Sequence, residues 1–264
     1  MIVLCVANNK GGVGKTTTVV NLAAAIGKSG RKTLVIDADG QGNATYSLTG
    51  LVHPTPSLYD VLMEKIPLEK IILPSNEDFV SVVPGDPRLQ NIDIELAAKP
   101  AREWKLSRAM RQVDFEYVII DTPPSLGLLT QNALAAAQHV IIPVSLSEFS
   151  LIGMDKLLAT IDEIGDELNI EDLDLLGVLV TFYDETRLSR ETYGILEKKF
   201  EEHLLTTRIP KSIKLEESHR RNESIVSFLP NSPAGQAYTE LAQEVIKKSK
   251  AAQTPYSRKQ QRRS

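Results

Sequence analysis

The sequence predicts an α/β domain with a mostly parallel, twisted sheet and helices on both of its faces. Apolar runs of strand length alternate with amphipathic stretches of helical period along the 264 residues. Several of these runs are hydrophobic at nearly every position, which is expected of strands buried on both sides. The chain is 42% hydrophobic and 24% charged. These values are typical of a soluble globular domain of this length.

The predicted elements follow one another in a regular order. A strand at Ile2–Ala7 leads through a glycine-rich loop into a helix at Lys15–Ser29. The other predicted strands are Thr33–Asp37, Phe79–Pro84, Tyr117–Asp121, His139–Val144 and Leu173–Phe182. The other predicted helices are Phe149–Leu168, Leu188–Phe200 and Ser232–Lys248, the last with Ser232 as N-cap and Pro233 in its first turn. Thr45–Ile72 contains three prolines and is expected to be the least regular part.

We expect one domain over residues 1–250 and a basic, disordered tail over residues 251–264. From Val245 to Ser264 there are seven Lys or Arg and no acidic residue. The rest of the chain carries 23 basic and 34 acidic residues, so a basic terminus follows an acidic body. The tail is either a solvated terminus or an electrostatic contact to a polyanion.

Composition excludes several classes of site. Cys5 is the single cysteine and lies in an apolar run, so disulfide frameworks and cysteine-ligated metal sites within one chain are excluded. This usage fits a reducing cytoplasm. No apolar run reaches the length of a membrane span. The N-terminal run has no charged segment before it and is interpreted as a first strand, not as a signal peptide.

The loop after the first strand carries the strongest motif. Its residues are Lys10, Gly11, Gly12, Val13, Gly14, Lys15, Thr16 and Thr17. Glycines allow successive backbone N–H groups to point inward, and the following helix contributes its positive end, so the loop predicts a phosphate site. In such a P-loop, Lys15 contacts the β- and γ-phosphates and the Thr16 hydroxyl binds Mg²⁺. A glycine-rich turn without a ligand is the alternative, and the strand–loop–helix context disfavours it.

Acidic residues follow two of the predicted strands. Asp37 and Asp39 come at the end of the second strand, and Asp121 ends the strand that begins at Tyr117. The carboxyl ends of parallel strands form the edge at which α/β proteins bind ligands. Asp121 is therefore predicted to be the Walker B acid that holds the Mg²⁺ shell. A turn acid at the end of a strand is the alternative.

The loop departs from the general P-loop pattern, because Asn9 fills its first position and an additional lysine, Lys10, precedes the glycines. In this it resembles the deviant Walker A box of the ParA/MinD family, and in particular that of the small, Soj-like ParA partition ATPases. The resemblance implies ATP as the nucleotide. It also implies that Lys10 is a catalytic lysine that reaches the phosphates of the partner subunit in an ATP-bound homodimer.

Asp37–Thr45 resembles the first switch of that family, with Gly40 where proline is usual. Asp39 aligns with the acid that positions the attacking water, and we assign it to the catalytic set and to the metal shell. Asp37 is either structural or part of the metal shell. Gly40 is expected to make this loop more mobile.

The resemblance extends over nearly the whole chain. Residues 121–130 are similar to the second switch, and Val178–Asp184 and Ile209–Lys214 are similar to the C-terminal half of the family. The last segment is expected near the adenine, which assigns Pro210 and Lys211 to nucleotide binding. We expect no additional DNA-reading domain, as found in larger plasmid relatives, before Ile2.

Other branches of the family fit less well. Iron–sulfur members need more cysteines, and the tyrosine-kinase branch has a tyrosine-rich tail, whereas this tail contains only Tyr256. MinD-like members end in an amphipathic membrane helix, for which this tail lacks large apolar residues after Ile246. A MinD-like membrane-associated regulator and a metabolic P-loop enzyme stay as alternatives.

The cargo-positioning branch implies nonspecific DNA binding and a ParB-like or adaptor protein that stimulates hydrolysis. Its location would be cytoplasmic and nucleoid-associated, without a membrane partner. Its cargo would be a plasmid, a chromosome region or a protein assembly. The candidate DNA-binding residues are Arg187, Lys211, Lys214, Arg220 and Arg221. Ordinary solvated surface charge is the alternative for each of them.

Overall fold

The computed structural model describes residues 1–146, 154–170 and 173–251. Within these ranges, eight strands form one sheet in the order β3-β4-β2-β5-β1-β6-β7-β8. They are β1 (Ile2–Val6), β2 (Thr33–Asp37), β3 (Leu73–Pro74), β4 (Val80–Val83), β5 (Tyr117–Asp121), β6 (His139–Ser145), β7 (Asp174–Tyr183) and β8 (Leu204–Pro210). Neighbouring strands are parallel except for the antiparallel pair β3 and β4. The predicted α/β fold with a mostly parallel sheet is confirmed.

Helices cover both faces of this sheet. They are α1 (Lys15–Lys28), α2 (Asn43–Thr49), α3 (Leu58–Leu62), α4 (Ile92–Glu95), α5 (Lys105–Ala109), α6 (Leu128–Ala136), α7 (Met154–Glu167), α8 (Arg187–Phe200), α9 (Lys214–Arg220), α10 (Ile225–Phe228) and α11 (Pro233–Ala251). Short 3₁₀ turns lie at Leu68–Lys70, Pro87–Asn91, Arg102–Trp104, Met110–Gln112 and Glu201–His203. None of the helices in the described ranges is long and apolar enough to cross a membrane.

Alternate residues of β1 divide the core into two layers. Val3 and Cys5 pack into a cluster with residues of α3, α5, α6 and α7. Leu4 and Val6 pack into a second cluster with residues of α1, α10 and α11. Cys5 is fully buried, as the sequence predicts. The central strands are therefore covered on both sides, which explains their continuous hydrophobic runs.

Several elements have bounds close to the predicted ones, and the structure also contains elements that were not predicted. β2 and β5 have the predicted limits, and the Ser232 Oγ accepts a hydrogen bond from the Gly235 N–H at 3.1 Å, as expected of an N-cap. The elements that come in addition to the predicted ones are β3, β8, α2, α3, α4, α5, α6, α9 and α10. The start of the helix predicted from Phe149 and the tail 252–264 lie outside the described residues, so the division at residue 250 stays a prediction.

The register of the sheet places the acidic strand ends beside the glycine-rich loop. Asp37 of β2 is paired in register with Asp121 of β5, and Asp121 is paired with Val6, the last residue of β1. Because the three strands are parallel, both carboxylates and the loop that follows β1 lie at one edge of the sheet.

Candidate functional site

The loop over residues 7–14 connects β1 to α1 through glycines with positive φ. Gly12 has φ 71° and Gly14 has φ 85°, in the left-handed region that side chains rarely adopt. A Cβ atom at Gly11 or Gly12 would meet no other atom within 4 Å, so the space beside these residues is open. Gly14 is the N-cap of α1 and provides no side-chain cap. The first N–H groups of α1 can therefore donate to an anion in this loop.

Two buried side chains outside the motif hold the loop in place. Asn8 donates from Nδ2 to the Pro143 carbonyl at 2.8 Å, and its Oδ1 accepts from the Lys10 N–H at 3.0 Å. The Thr181 hydroxyl donates to the Val13 carbonyl at 2.9 Å. Sequence reasoning missed both residues. A buried polar residue next to the motif, Asn8, was the available signal.

Lys15 spans the loop from inside. Its Nζ donates to the Lys10 carbonyl oxygen at 2.9 Å, and the residue is 7% exposed. Burial lowers the pKa of Lys15, while the nearby Asp121 and Asp39 act in the opposite direction. The ammonium therefore lies at the mouth of the loop within electrostatic range of both carboxylates. This position suits the neutralisation of phosphate charge.

Asp121 is the least satisfied polar group of the site. It is fully buried; its Oδ2 accepts from the Thr16 hydroxyl at 2.7 Å, and its Oδ1 has no hydrogen-bond partner among the residues that the structure describes. Burial raises the pKa of Asp121 well above its usual range, and the neighbouring Asp37 and Asp39 raise it further. A buried carboxylate with an unpaired oxygen requires a cation or a proton.

These residues fit a magnesium ion. Within the described ranges, no group of three or more His, Cys, Asp or Glu side chains could hold a metal by itself. Mg²⁺ does not require such a group, because it is commonly held by one or two carboxylates, waters and the oxygens of a phosphate ligand. Thr16 and Asp121 supply two oxygens at the mouth of the phosphate loop, and Asp39 lies close enough to affect the pKa of Asp121.

The contacts of Asp37 are those of a structural residue. Its Oδ2 accepts from the Thr45 N–H at 2.8 Å and from the Thr45 hydroxyl at 2.6 Å. Burial raises the pKa of Asp37 to about 6. Asp37 thus ties the start of α2 to the end of β2. Asp39 is half-buried, and its Oδ1 accepts from the Gln41 N–H at 2.9 Å, which leaves this carboxylate accessible at the sheet edge.

Gly40 has a packing role that sequence reasoning missed. It is buried, and a Cβ atom at this position would lie 2.7 Å from the Gln90 Cγ. Proline, which is usual in the family, would collide with Gln90 unless the turn at Pro87–Asn91 moved. The higher mobility expected of this loop stays a prediction.

A pocket of about 740 Å³ opens beside the first turn of α1. Its walls include Thr17, Phe182, Lys211, His219 and Arg220. Its size is sufficient for the base and ribose of a nucleotide. The structure thus brings Lys211 to the end of the phosphate loop. Pro210, the last residue of β8, is paired with Tyr183 of β7 next to this pocket.

Four of the five candidate DNA-binding residues lie in one segment of the chain. Lys211 precedes α9, Lys214 and Arg220 lie within it, and Arg221 follows it. Lys214 contacts Glu217 at 2.8 Å, and the Arg221 guanidinium lies 4.7 Å from the centre of the Phe228 ring.

The fifth candidate, Arg187, lies at the start of α8. It contacts Glu191 at 2.7 Å, and its side chain is 92% exposed. The roles of all five candidate residues in DNA binding stay predictions. The role of Lys10 in the dimer also stays a prediction.

The chain is similar to known proteins over almost all of its length. Residues 1–174 match the family model described as an AAA domain. The chain is 40% identical over 244 residues to the chromosome-partitioning ATPase Soj of Thermus thermophilus, covering 92% of this chain and 94% of Soj. It is 35% identical over 251 residues to the chromosome partitioning protein ParA of Myxococcus xanthus, covering 93% and 88%. The chain belongs to the ParA/Soj family of partitioning ATPases.

A solved structure has the same fold as this ParA/Soj family member. It is a cobyrinic acid a,c-diamide synthase from Mycobacterium smegmatis, with a TM-score of 0.83 and 33% identity over 97% of this chain and 98% of that one. That protein was solved with ADP and magnesium and with an ATP analogue and magnesium. The resemblance to the ParA family and the P-loop fold predicted from the sequence are confirmed. As a member of this family, the chain is a P-loop ATPase.

Proposed function

We propose that this chain is a Mg²⁺-dependent ATPase that forms a homodimer when ATP is bound and binds nucleoid DNA without sequence preference. A partner protein of the ParB or adaptor type stimulates hydrolysis and so releases the dimer from DNA. The result is the positioning or segregation of a cargo in the cytoplasm. The observation that carries the proposal is the buried Asp121, whose unpaired Oδ1 lies beside Thr16 and Lys15 at the phosphate loop.

Each group of the site has a defined task in this proposal. The backbone N–H groups of residues 11–17 and the Lys15 ammonium bind the ATP phosphates. Thr16 and Asp121 would hold Mg²⁺, with Asp39 in its shell, and the ion would supply positive charge to the phosphate oxygens. Asp39 orients the attacking water from the accessible edge of the sheet. Lys211 lines the side of the pocket where the base binds, and Pro210 precedes it at the end of β8.

DNA binding is tested with short duplexes of unrelated sequence in fluorescence anisotropy. With ATP and Mg²⁺, we expect equal affinity for all duplexes and a steep loss of affinity as salt rises, because phosphate contacts release counterions. The variant Lys211→Glu/Lys214→Glu should lose this binding, whereas the charge-matched control Lys70→Glu/Lys99→Glu should keep it. ATP affinity is measured in parallel, because Lys211 also lines the nucleotide pocket.

Two results would contradict the DNA proposal. One is an ATP-loaded wild type that ignores DNA at low salt or strongly prefers one sequence. The other is an equal loss of binding in the control variant, which would show that the effect is one of net charge alone.

The trans role of Lys10 is tested by sedimentation with ATP and with ADP. Lys15 already serves the phosphates of its own subunit, so a second lysine five residues earlier is expected to contact the ATP of the partner. Lys10→Ala should weaken the ATP-dependent dimer, stimulated hydrolysis and DNA binding together. The backbone carbonyl that receives the Lys15 ammonium is unchanged by this substitution. A dimer equally stable in wild type and Lys10→Ala would refute the trans role.

Two alternatives make different predictions. A MinD-like regulator would bind lipid vesicles in the presence of ATP, and the tail on which this depends lies outside the described residues. A metabolic enzyme would consume ATP in proportion to a small-molecule acceptor. A partition ATPase hydrolyses ATP slowly in the absence of any acceptor and responds to DNA and to a protein partner.

A further inference from the structure

The short helix α2 is bonded to the sheet and to α9. Thr45 in its first turn donates from its N–H and its hydroxyl to the Asp37 carboxylate, and Asp37 lies in register with Asp121 at the end of the neighbouring strand. Two residues later, the Ser47 hydroxyl and the His219 Nδ1 are 2.7 Å apart. Ser47 is buried, and His219 belongs to α9. The seven-residue helix α2 therefore connects the acidic ends of β2 and β5 to α9.

A second set of contacts joins the same two segments. The Asn222 Nδ2, just after α9, donates to the Tyr46 carbonyl at 2.6 Å. Gly50 ends α2 with φ 73°, and a Cβ atom there would lie 3.2 Å from the Asn222 Oδ1. Asn222 in turn accepts, through its carbonyl oxygen, a bond from the Asn76 Nδ2 at 3.0 Å. The end of α2 is thus packed closely against the end of α9.

The ring of His219 is bound through one nitrogen. Its Nε2 is buried and has no hydrogen-bond partner within the described part of the chain. Burial lowers the pKa of His219, so the ring is neutral near pH 7 and its Nδ1 can share one hydrogen with Ser47. The same residue lines the nucleotide pocket together with Lys211 and Arg220. The contact to Ser47 therefore holds the His219 ring in this wall of the pocket.

We propose that Ser47 and His219 are positioning residues that transmit the state of the phosphate site through α2 to α9. A cation or phosphate that changes the environment of Asp121 and Asp37 would shift Thr45, and the rigid α2 would carry this shift to His219. The proposal rests on the proposed function, because α9 carries Lys214 and Arg220, which we assign to DNA. A displacement of His219 would reorient those two side chains and the pocket wall together.

The size of the effect follows from the bond that is removed. A hydrogen bond between neutral, partly buried groups changes an equilibrium by about 2- to 10-fold. Coupling between two ligands is reciprocal, so the same factor should appear when ATP changes DNA affinity and when DNA changes ATP affinity.

The test uses Ser47→Ala with two companion variants. Thr49→Val is the matched control, because the Thr49 hydroxyl lies in the same helix but donates to the Thr45 carbonyl at 2.8 Å within α2. His219→Asn is the conservative variant, because its amide can offer a polar atom to Ser47 near the position of Nδ1. The first readout is the ratio of DNA dissociation constants with ADP and with ATP. The second is amide hydrogen exchange of residues 215–220 with and without ATP and Mg²⁺.

We expect the ratio of DNA dissociation constants to fall by about 2- to 10-fold in Ser47→Ala and to stay unchanged in Thr49→Val. In His219→Asn the ratio should be partly retained, so that it lies between those of the other two variants. In Ser47→Ala, ATP should still change exchange in α2 but should change it less in α9, because the Asn222 contact to Tyr46 remains. An α9 response to ATP that equals that of wild type in Ser47→Ala would overturn the proposal, as would a wild type whose α9 does not respond. If wild type does not bind DNA, the proposed function fails, and the exchange experiment still decides whether α2 and α9 are coupled.

Discussion

Replacing Asp121 with asparagine should stabilise the nucleotide-free protein while removing its response to Mg²⁺ and ATP. Asparagine has nearly the same shape, and its oxygen can still accept the bond that Thr16 donates at 2.7 Å. The charge on a fully buried group with one unpaired oxygen is lost. Asparagine still leaves one unpaired polar atom, Nδ2, in the place of Oδ1, so the substitution removes only the additional cost of burying the charge. We therefore expect the free energy of unfolding of Asp121→Asn to exceed that of wild type by on the order of 1 kcal/mol.

Urea denaturation followed by circular dichroism measures this difference, first in EDTA and then with ATP and Mg²⁺. A ligand present at 100 times its dissociation constant stabilises the folded state by about 2.7 kcal/mol. Wild type should gain this amount, and Asp121→Asn should gain much less because its cation ligand is removed. The order of stability of the two proteins should therefore reverse when ATP and Mg²⁺ are added.

The pH dependence of the free energy of unfolding in EDTA checks the sign of the Asp121 contribution. Burial and the two neighbouring aspartates raise the pKa of Asp121 above that of the unfolded chain. The folded state thus binds this proton more tightly. The contribution of this bound proton to the free energy of unfolding is complete below the pKa of the unfolded chain. It is lost as pH rises through the pKa of the folded state. The advantage of Asp121→Asn should accordingly be largest above neutral pH and should vanish in acid.

Asp37 is present in both proteins. Burial raises its pKa to about 6, so wild type loses stability as pH rises through this value, and the same direction is expected for Asp121→Asn. The reasoning is refuted if Asp121→Asn is no more stable than wild type in EDTA at pH 8. Equal stabilisation of both proteins by ATP and Mg²⁺ would refute it as well.

Two further predictions follow from the roles of the site residues and from the packing of β1. Asp39→Ala should keep ATP affinity but lose about 100-fold in turnover, whereas Lys15→Ala should lose ATP affinity. Titration with a fluorescent nucleotide measures the affinity, and phosphate release measures the turnover. An equal loss of affinity in both variants would contradict the division of roles. Cys5 is fully buried and burial raises the pKa of its thiol, so a maleimide at pH 8 should modify it only when the protein unfolds. Rapid stoichiometric labelling of the folded protein would contradict that packing.

The strands that sequence reasoning identified correctly are those whose signal is local. β2 and β5 are buried at every position, so their continuous apolar runs mark both ends. β8 was missed because it is an edge strand in which Thr206 and Arg208 are exposed, which interrupts the apolar run. α6 was missed for the opposite reason. It is buried around most of its circumference, so its sequence has little of the periodicity that marks an amphipathic helix.

The same distinction holds at the functional site. The phosphate loop could be predicted because its motif occupies eight consecutive residues and the strand and helix around it are local. Asn8 with Pro143, Thr181 with Val13 and Ser47 with His219 are separated by 135, 168 and 172 residues along the chain. Nothing in a single sequence pairs such positions, because the contacts exist only after the sheet has formed.

In this structure, two of the groups that would bind nucleotide and cation are already bonded within the protein. The Lys15 ammonium donates to the Lys10 carbonyl, and the Thr16 hydroxyl donates to Asp121. Ligand binding must exchange these internal bonds for bonds to phosphate and metal, so affinity is the difference between two similar sets of interactions. The unpaired oxygen of Asp121 favours the ligand-bound state, because no internal hydrogen bond is lost when this oxygen binds a cation. The same oxygen makes the nucleotide-free state less stable, so part of the binding free energy of the cation is the relief of this unpaired buried charge.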